Sequence, residues 1–242
     1  MKKFLLEKIR LSIYFWIFLA FFVGLALIIP RQKYSSGALA LFSVNSFLYG
    51  FYIAPILAGQ KARIEDLHKI TRSEANAIFA MALGIKNLPE ELRNHLQEMF
   101  LDYMRALLKD HRAAGGEEEY EALITFCVSY KGAHKDDIMK LLDKIVANQQ
   151  NRTNFSMQMR NPVFSNEWSI MLVLFSITMG FVISLDAGKQ LPYRILAALL
   201  CTGLSMLLLI LIKLSTLTHK KAKGMWEPYH KLIDSRFYRI DS

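Results

Sequence analysis

Four long apolar blocks alternate with polar chain: Leu11 to Pro30, Gly37 to Leu57, Trp168 to Leu185 and Leu191 to Ile212. Each holds about the 17–25 residues that a helix needs to cross roughly 30 Å of hydrocarbon. A long polar and charged stretch separates the second block from the third. The pattern predicts an all-α chain: four transmembrane helices, with a helical bundle inserted between spans 2 and 3. The corresponding divisions are 1–59 (first helix pair), 60–166 (inserted domain), 167–213 (second pair) and 214–242 (C-terminal tail).

Inside the insert the apolar period is helical throughout. After span 2, the run QKARIEDLHKITRSEANAIFAMALGI keeps that spacing through Ile64, Leu67, Ile70, Ala77, Ile78, Met81 and Ile85. No breaker stands between Pro55 and Asn87, so span 2 should continue past the membrane as one long helix. Pro89 suits a first helical turn, with Glu90 and Glu91 beside the positive end of the helix dipole. Leu92, Leu96, Met99, Phe100, Tyr103, Met104 and Leu107 then form one apolar face, and the run AAGG ends that helix at Gly115. EEEYEALITFCVSY and HKDDIMKLLDKIVANQQ predict two shorter helices, the second with Ile138, Leu141, Leu142 and Ile145 on one side. The sequons at Asn151 and Asn154 read as polar loop residues. Strand-type alternation is nowhere sustained.

Charge orients this layout. The chain is 53% hydrophobic with a formal charge of +9. Lys2, Lys3, Lys8 and Arg10 precede span 1; Lys61, Arg63, Lys69 and Arg72 follow span 2. Arg152 and Arg160 precede span 3, and Lys213, Lys220, Lys221 and Lys223 follow span 4, whereas the opposite loops carry only Arg31, Lys33, Lys189 and Arg194. The positive-inside rule puts both termini and the insert in the cytoplasm. Cations that hug membrane boundaries without forming a soluble stripe argue against a nucleic-acid partner. Tyr14, Trp16, Tyr34, Trp168, Tyr193 and Trp226 are candidate interface aromatics. The start MKKFLLEKIR has a signal-like lysine pair, but its charges delay the apolar block and no small-residue cleavage site follows, so it reads as a retained span. Cys127 and Cys201 fall in the insert and in a span, an arrangement that predicts no disulfide.

Catalytic chemistry finds no support. There is no H-E-x-x-H, P-loop, G-x-S-x-G or paired-cysteine zinc pattern. His68, His95, His111, His134, His219 and His230 lack metal-ligand spacing. The run HKDD at His134 to Asp137 fits a helix start with acids in its first turn better than a base with carboxylates. The GGEEEYE run from Gly115 lacks the spaced ligands of a calcium loop and reads as a solvated helix start. No enzyme activity, cofactor or metal is expected.

Polar residues inside span 2 need a reason, because a polar group facing lipid is costly. Two stripes separate on its helical wheel. One is Ser43, Phe47 and Phe51, spaced by four; the other, nearly opposite, is Asn45, Tyr49, Tyr52 and Ile56. Ser46 and Gly50 form a small-x-x-x-small pair that lets another helix approach closely. The plain reading is a packed bundle with Asn45 bonding between helices. Within this span, SFLYGFYIAPIL resembles the second transmembrane helix of the bestrophin ion channels, where a Phe precedes a Gly-Phe-Tyr triplet. The segment from Ser73 to Leu108, with its Glu-Ala pair, Leu-Pro-Glu turn and tyrosine-bearing helix, resembles the bacterial bestrophin-like membrane proteins. Where channel bestrophins continue with Arg-Trp this chain has Gly59, Gln60 and Lys61, and no acidic motif matches the calcium clasp of the animal proteins.

The resemblance implies a ring-shaped homo-oligomer, a pentamer by preference, in the bacterial inner membrane. Five copies of span 2 would surround a pore whose neck is Ser43, Phe47 and Phe51. Asn45, Ser46, Tyr49, Gly50 and Tyr52 would serve helix packing and inter-helix hydrogen bonding. The implied function is a passive channel for small inorganic ions, with lipid as the other partner; the ion preference stays open, with anions slightly favoured by Arg31, Lys33 and the cytoplasmic lysines near the mouths. Hydration instead turns Asn45 and Tyr49 toward water; both readings hold if apolar rings gate the pore by dewetting. The alternative function is a membrane-anchored signalling or scaffolding protein whose cytoplasmic domain recruits partners.

Overall fold

Helices account for all the regular structure among the described residues of the computed structural model, which are 9–30, 32–110, 115–160, 163–186, 191–219, 222 and 224–234. Lys2, Lys3, Lys8, Arg31, His111, Ala113, Ala114, Lys189, Lys220, Lys221 and Lys223, which entered the sequence reading, lie outside them. The main helices are α1 (Leu11–Ile28), α2 (Ser36–Gly84), α3 (Glu90–Asp110), α4 (Glu117–Ser129), α5 (Lys135–Met159), α6 (Ser165–Ser184), α7 (Leu191–Ser215) and α8 (Glu227–Asp234). The predicted long helix is real: α2 runs unbroken for 49 residues with Pro55 inside it. The chain divides into two compact units, residues 1–62 with 162–220 and residues 63–161 with 221–242.

In the first unit α1 packs on α7 and α6, and α6 packs on α7. Phe22, Met179, Val182, Ile183, Ala198 and Cys201 form one buried cluster, while Tyr49, Ile53, Val163, Met171 and Leu211 form another. Four helices, α1, α2, α6 and α7, are long and apolar enough to cross a membrane. Only 11% of the most apolar 18-residue window of α1, and likewise of α2, is buried within the chain. So much uncovered apolar surface requires lipid or other chains around it. The connection after α1 is pinned to the end of α6: Gln32 N–H donates to Ser184 O, and Asp186 N–H donates to Gln32 O. Tyr34 stacks on Phe181, with its hydroxyl 2.6 Å from Ser184 Oγ. Lys213, counted above as a flanking cation, is 5% exposed; its Nζ donates to Ile9 O and lies over the Tyr14 ring. A buried ammonium is kept by such partners.

The second unit builds its core from the latter part of α2 with α3, α4, α5 and α8. The predicted face of α3 is the buried one: Leu96, Phe100, Tyr103, Met104 and Leu107 are almost fully covered. α5 starts at the HKDD run as predicted, with His134 at the N-cap position, making no side-chain capping bond, and Asp136 and Asp137 in the first turn. That helix is longer than the sequence suggests. Asn151 and Asn154 lie within it rather than in a loop, and Asn151 donates to Asn148 Oδ1. Tertiary contact extends it: Arg152 and Phe155 on its inner face are buried. Arg63 caps its end, donating from Nε to Gln158 O at 2.6 Å and from Nη2 to Met159 O at 2.9 Å. These bonds satisfy carbonyls that a helix C-terminus leaves open.

The segment after α7 is expected from sequence to form a separate tail, yet a short 3-10 turn (Gly224–Trp226) and α8 pack into this second unit. Trp226 is 5% exposed, edge-on to Phe155 at 5.6 Å and beside Tyr229. It is therefore a core residue and not an interface aromatic. Trp16 and Tyr193 are exposed.

The start of α4 depends on one glycine. Gly116 is the N-cap, at φ +73°, and a Cβ there would sit 2.8 Å from Tyr103 Cδ2 and 3.1 Å from Tyr103 O. Left-handed backbone costs a non-glycine residue about 1–3 kcal/mol, and the clash with a main-chain oxygen adds to it. Gly116→Ala should lower the stability of the detergent-solubilised protein by at least about 1 kcal/mol, measured by chemical denaturation with circular dichroism.

Candidate functional site

The two stripes of span 2 separate in space as they do on the wheel. Asn45, Tyr49, Tyr52 and Ile56, with the buried Ile53 beside them, turn toward the rest of the first unit, and Ser43, Phe47 and Phe51 turn away from it. Phe47 and Phe51 are 69% and 70% exposed, and their rings stack at a centroid distance of 6.0 Å. One helical turn separates them, which is the spacing that brings residues i and i+4 together. Ser43 Oγ returns its proton to Leu39 O, so its polarity is met by its own helix. Pro55, four residues beyond Phe51, removes the N–H that would have bonded the Phe51 carbonyl.

On the inward side Asn45 is the polar tie between helices. Its Nδ2 donates to Thr178 Oγ1 at 2.8 Å and to Leu174 O at 3.2 Å, fixing α2 against α6. The expectation that turned Asn45 and Tyr49 toward water is overturned: Tyr49 is 3% exposed and packs with Ile53, Val163, Met171 and Leu211. Nor does Tyr49 supply the expected inter-helix hydrogen bond. Among the described residues its hydroxyl and the Ser46 hydroxyl have no partner. Tyr49 therefore acts by packing, and Tyr52 packs against the same cluster. Gly50 is exposed, and a Cβ there would meet nothing within 4 Å. Whatever close approach the Ser46–Gly50 pair permits is not used within one copy of the chain.

A second polar centre, absent from the sequence reading as a site, lies in the second unit. Glu74 is 1% exposed in the middle of the apolar face of α2, between Leu67 and Ile78. Its Oε1 accepts from the Tyr103 hydroxyl of α3, and its Oε2 accepts from the Tyr229 hydroxyl of α8 at 2.7 Å. Arg152 of α5 lies over the Tyr120 ring at 3.9 Å and over the Tyr103 ring at 5.2 Å, and its Nη2 bonds Glu117 Oε2 at 2.8 Å. Asn148 donates weakly to the Tyr120 hydroxyl, which in turn donates to Ile145 O. The Glu and Tyr of the motif noted in Ser73 to Leu108 thus meet in one hydrogen bond.

Burial pushes the Glu74 carboxyl above its ordinary range, against the bonds from Tyr103 and Tyr229, the charge of Arg152 and the Asn148 amide, which all act downward. Burial, reinforced by the neighbouring Glu74 charge, holds the Tyr103 and Tyr229 phenols well above theirs, so both keep their protons. Burial also lifts Tyr120 to about 12. The stability linked to Glu74 has a definite sign. It is fully present below the ordinary glutamate value and is lost as pH rises through the raised one. One feature of the sequence does mark this site: at helical spacing, position 74 falls on the apolar stripe of Leu67, Thr71, Ile78 and Met81. A carboxylate in such a stripe needs partners.

No group of three or more His, Cys, Asp or Glu side chains could hold a metal ion among the described residues. The family model described as Bestrophin-like domain matches residues 15–219. No curated protein and no solved structure matches the chain.

Asn45→Ala should destabilise the first unit by about 0.6–1.7 kcal/mol, the range of inter-helix hydrogen bonds in membranes, read as a lower thermal midpoint in detergent. Glu74→Leu should cost about 2–6 kcal/mol, because it strands two buried tyrosine hydroxyls at about 1–3 kcal/mol each. Glu74→Gln, which retains both an acceptor and a donor, should cost clearly less in the same denaturation experiment.

Proposed function

The chain is a membrane protein of the bestrophin-like family, a channel-type family, and we propose that it is a passive ion channel whose copies set the first part of α2 around a common axis. The observation that carries this reading is the stacked, outward pair Phe47 and Phe51 on a helix whose opposite side is tied inward by Asn45. The Asn45 bonds set the rotation of α2, and that rotation leaves the benzyl side chains for the axis. Rings of such side chains on successive turns close a pore to water by dewetting and open it when they part. Ser43 makes a third, smaller and more polar level.

One copy has too few spans to enclose a conduit, so conduction needs an oligomer, and a pentamer is the count that the resemblance favours. The exposed Gly50, with Ser46 one turn before it, leaves room for the helix of a neighbouring copy. The charge bias supports a bacterial inner-membrane protein with both termini and the second unit in the cytoplasm. The few cations at the outer loops, Arg31 and Lys33 among them, favour anions slightly at that mouth.

A scaffolding role is the second reading, favoured by exposed Val128, Val146 and Met157 on the second unit, which offer apolar contacts to a partner. Purified protein in planar bilayers separates the two. A channel gives ohmic currents that rise severalfold with Phe47→Ala or Phe51→Ala, because the constriction widens. A stable oligomer that stays silent under ion gradients, in the wild type and in both variants, supports the scaffold instead.

A further inference from the structure

Three separate elements of the second unit converge on one carboxyl group. Glu74 comes from α2, Tyr103 from α3 and Tyr229 from α8. The last of these helices has only 8 residues, too short to be stable without its docking contacts. Its inner side is Tyr229 and Leu232, preceded by Met225 and Trp226, and its outer side carries a Lys231–Glu227 pair at 2.7 Å. Tyr229 to Glu74 is a polar anchor of this segment in the core.

The charged and titratable groups around Glu74 are few. From α5 come Arg152 and Asn148; from α4 come Tyr120 and, through Arg152, Glu117. On α2 itself, His68 and Arg72 lie toward Glu227 at the start of α8. Among the described residues the cation that acts on Glu74 is Arg152, which already donates through Nη2 to Glu117 and covers the Tyr120 ring. An ionised Glu74 is therefore a buried charge whose counterion is shared.

We propose that Glu74 is a proton-binding site that controls the docking of residues 224–234: with the proton bound the segment is held in the core, and with the proton lost the segment is released. The chemistry is the transfer of one proton from the carboxyl group to water. As an acid, Glu74 accepts from one tyrosine hydroxyl and donates to the other, so both contacts persist with no net charge in the core. As a carboxylate it accepts from both, but water solvates the charge better, and undocking α8 is the shortest way to admit water. Linkage gives the slope. In the window between the ordinary glutamate value and the raised one, the ratio of released to docked segment changes up to about tenfold per pH unit.

This inference does not rest on the channel reading, and its test involves no current. The chain has 3 tryptophans, and Trp226 is the one in the second unit. Full-length protein carrying Trp16→Phe and Trp168→Phe leaves Trp226 as sole reporter, probed by acrylamide quenching between about pH 5 and about pH 8. Quenching should rise severalfold with pH in this background, stay low and flat with Glu74→Gln added, and stay high throughout with Tyr229→Phe added. A flat profile in the background protein, or an unchanged slope with Glu74→Gln, overturns the proposal. Should Glu74→Gln fail to fold, Tyr229→Phe decides: low-pH quenching that stays at the background level overturns it, and quenching raised to the high-pH level supports it.

Discussion

Hydrocarbon offers no partner to a peptide N–H or C=O, so a chain that crosses it must bond its backbone to itself. In this protein that constraint is met most visibly by α2, which holds its helical bonds for 49 residues, through an apolar first part and on through a charged second part. Even Pro55, which removes one bond, does not end it. Because the backbone is committed throughout, everything that distinguishes one part of α2 from another lies in its side chains. On the first part they divide into a packed stripe and an uncovered one. On the second part they divide into a core stripe and a solvated face.

The buried polar groups follow a single rule, that a polar atom removed from water must find another partner. Asn45 finds Thr178 and a carbonyl of α6. Lys213 finds the Ile9 carbonyl and an aromatic face, and Arg63 finds the open carbonyls at the end of α5. Glu74 finds two tyrosines. Two of these cations were counted, from sequence, simply as markers of the inner membrane boundary. In the structure both serve packing, Arg63 as the cap on α5 and Lys213 as the tie to the Ile9 carbonyl.

Glu74 differs from the others because its charge can be removed. Asn45 has no ionisable group, whereas burial raises the Glu74 carboxyl above its ordinary range and so favours its neutral form. The family match over residues 15–219 covers both the outward phenylalanines of α2 and this carboxyl. The first is a feature of surface left uncovered, the second of a core closed around a group that would rather be wet. Both stand on one helix.

Periodicity by itself determined the four apolar spans, the unbroken course of α2, the buried face of α3 and the two stripes of span 2, because each is a property of one helix and its solvent. The full length of α5, the core position of Trp226, the inward bonds of Asn45 and the buried packing of Tyr49 were decided only by the tertiary structure. So was the meeting of Glu74 with Tyr103 and Tyr229, residues 29 and 155 positions away along the chain. A local pattern reports which side of a helix is apolar. It does not report which distant side chain will stand opposite, since that depends on how the helices pack, and the meaning of a buried polar residue is set by what it faces.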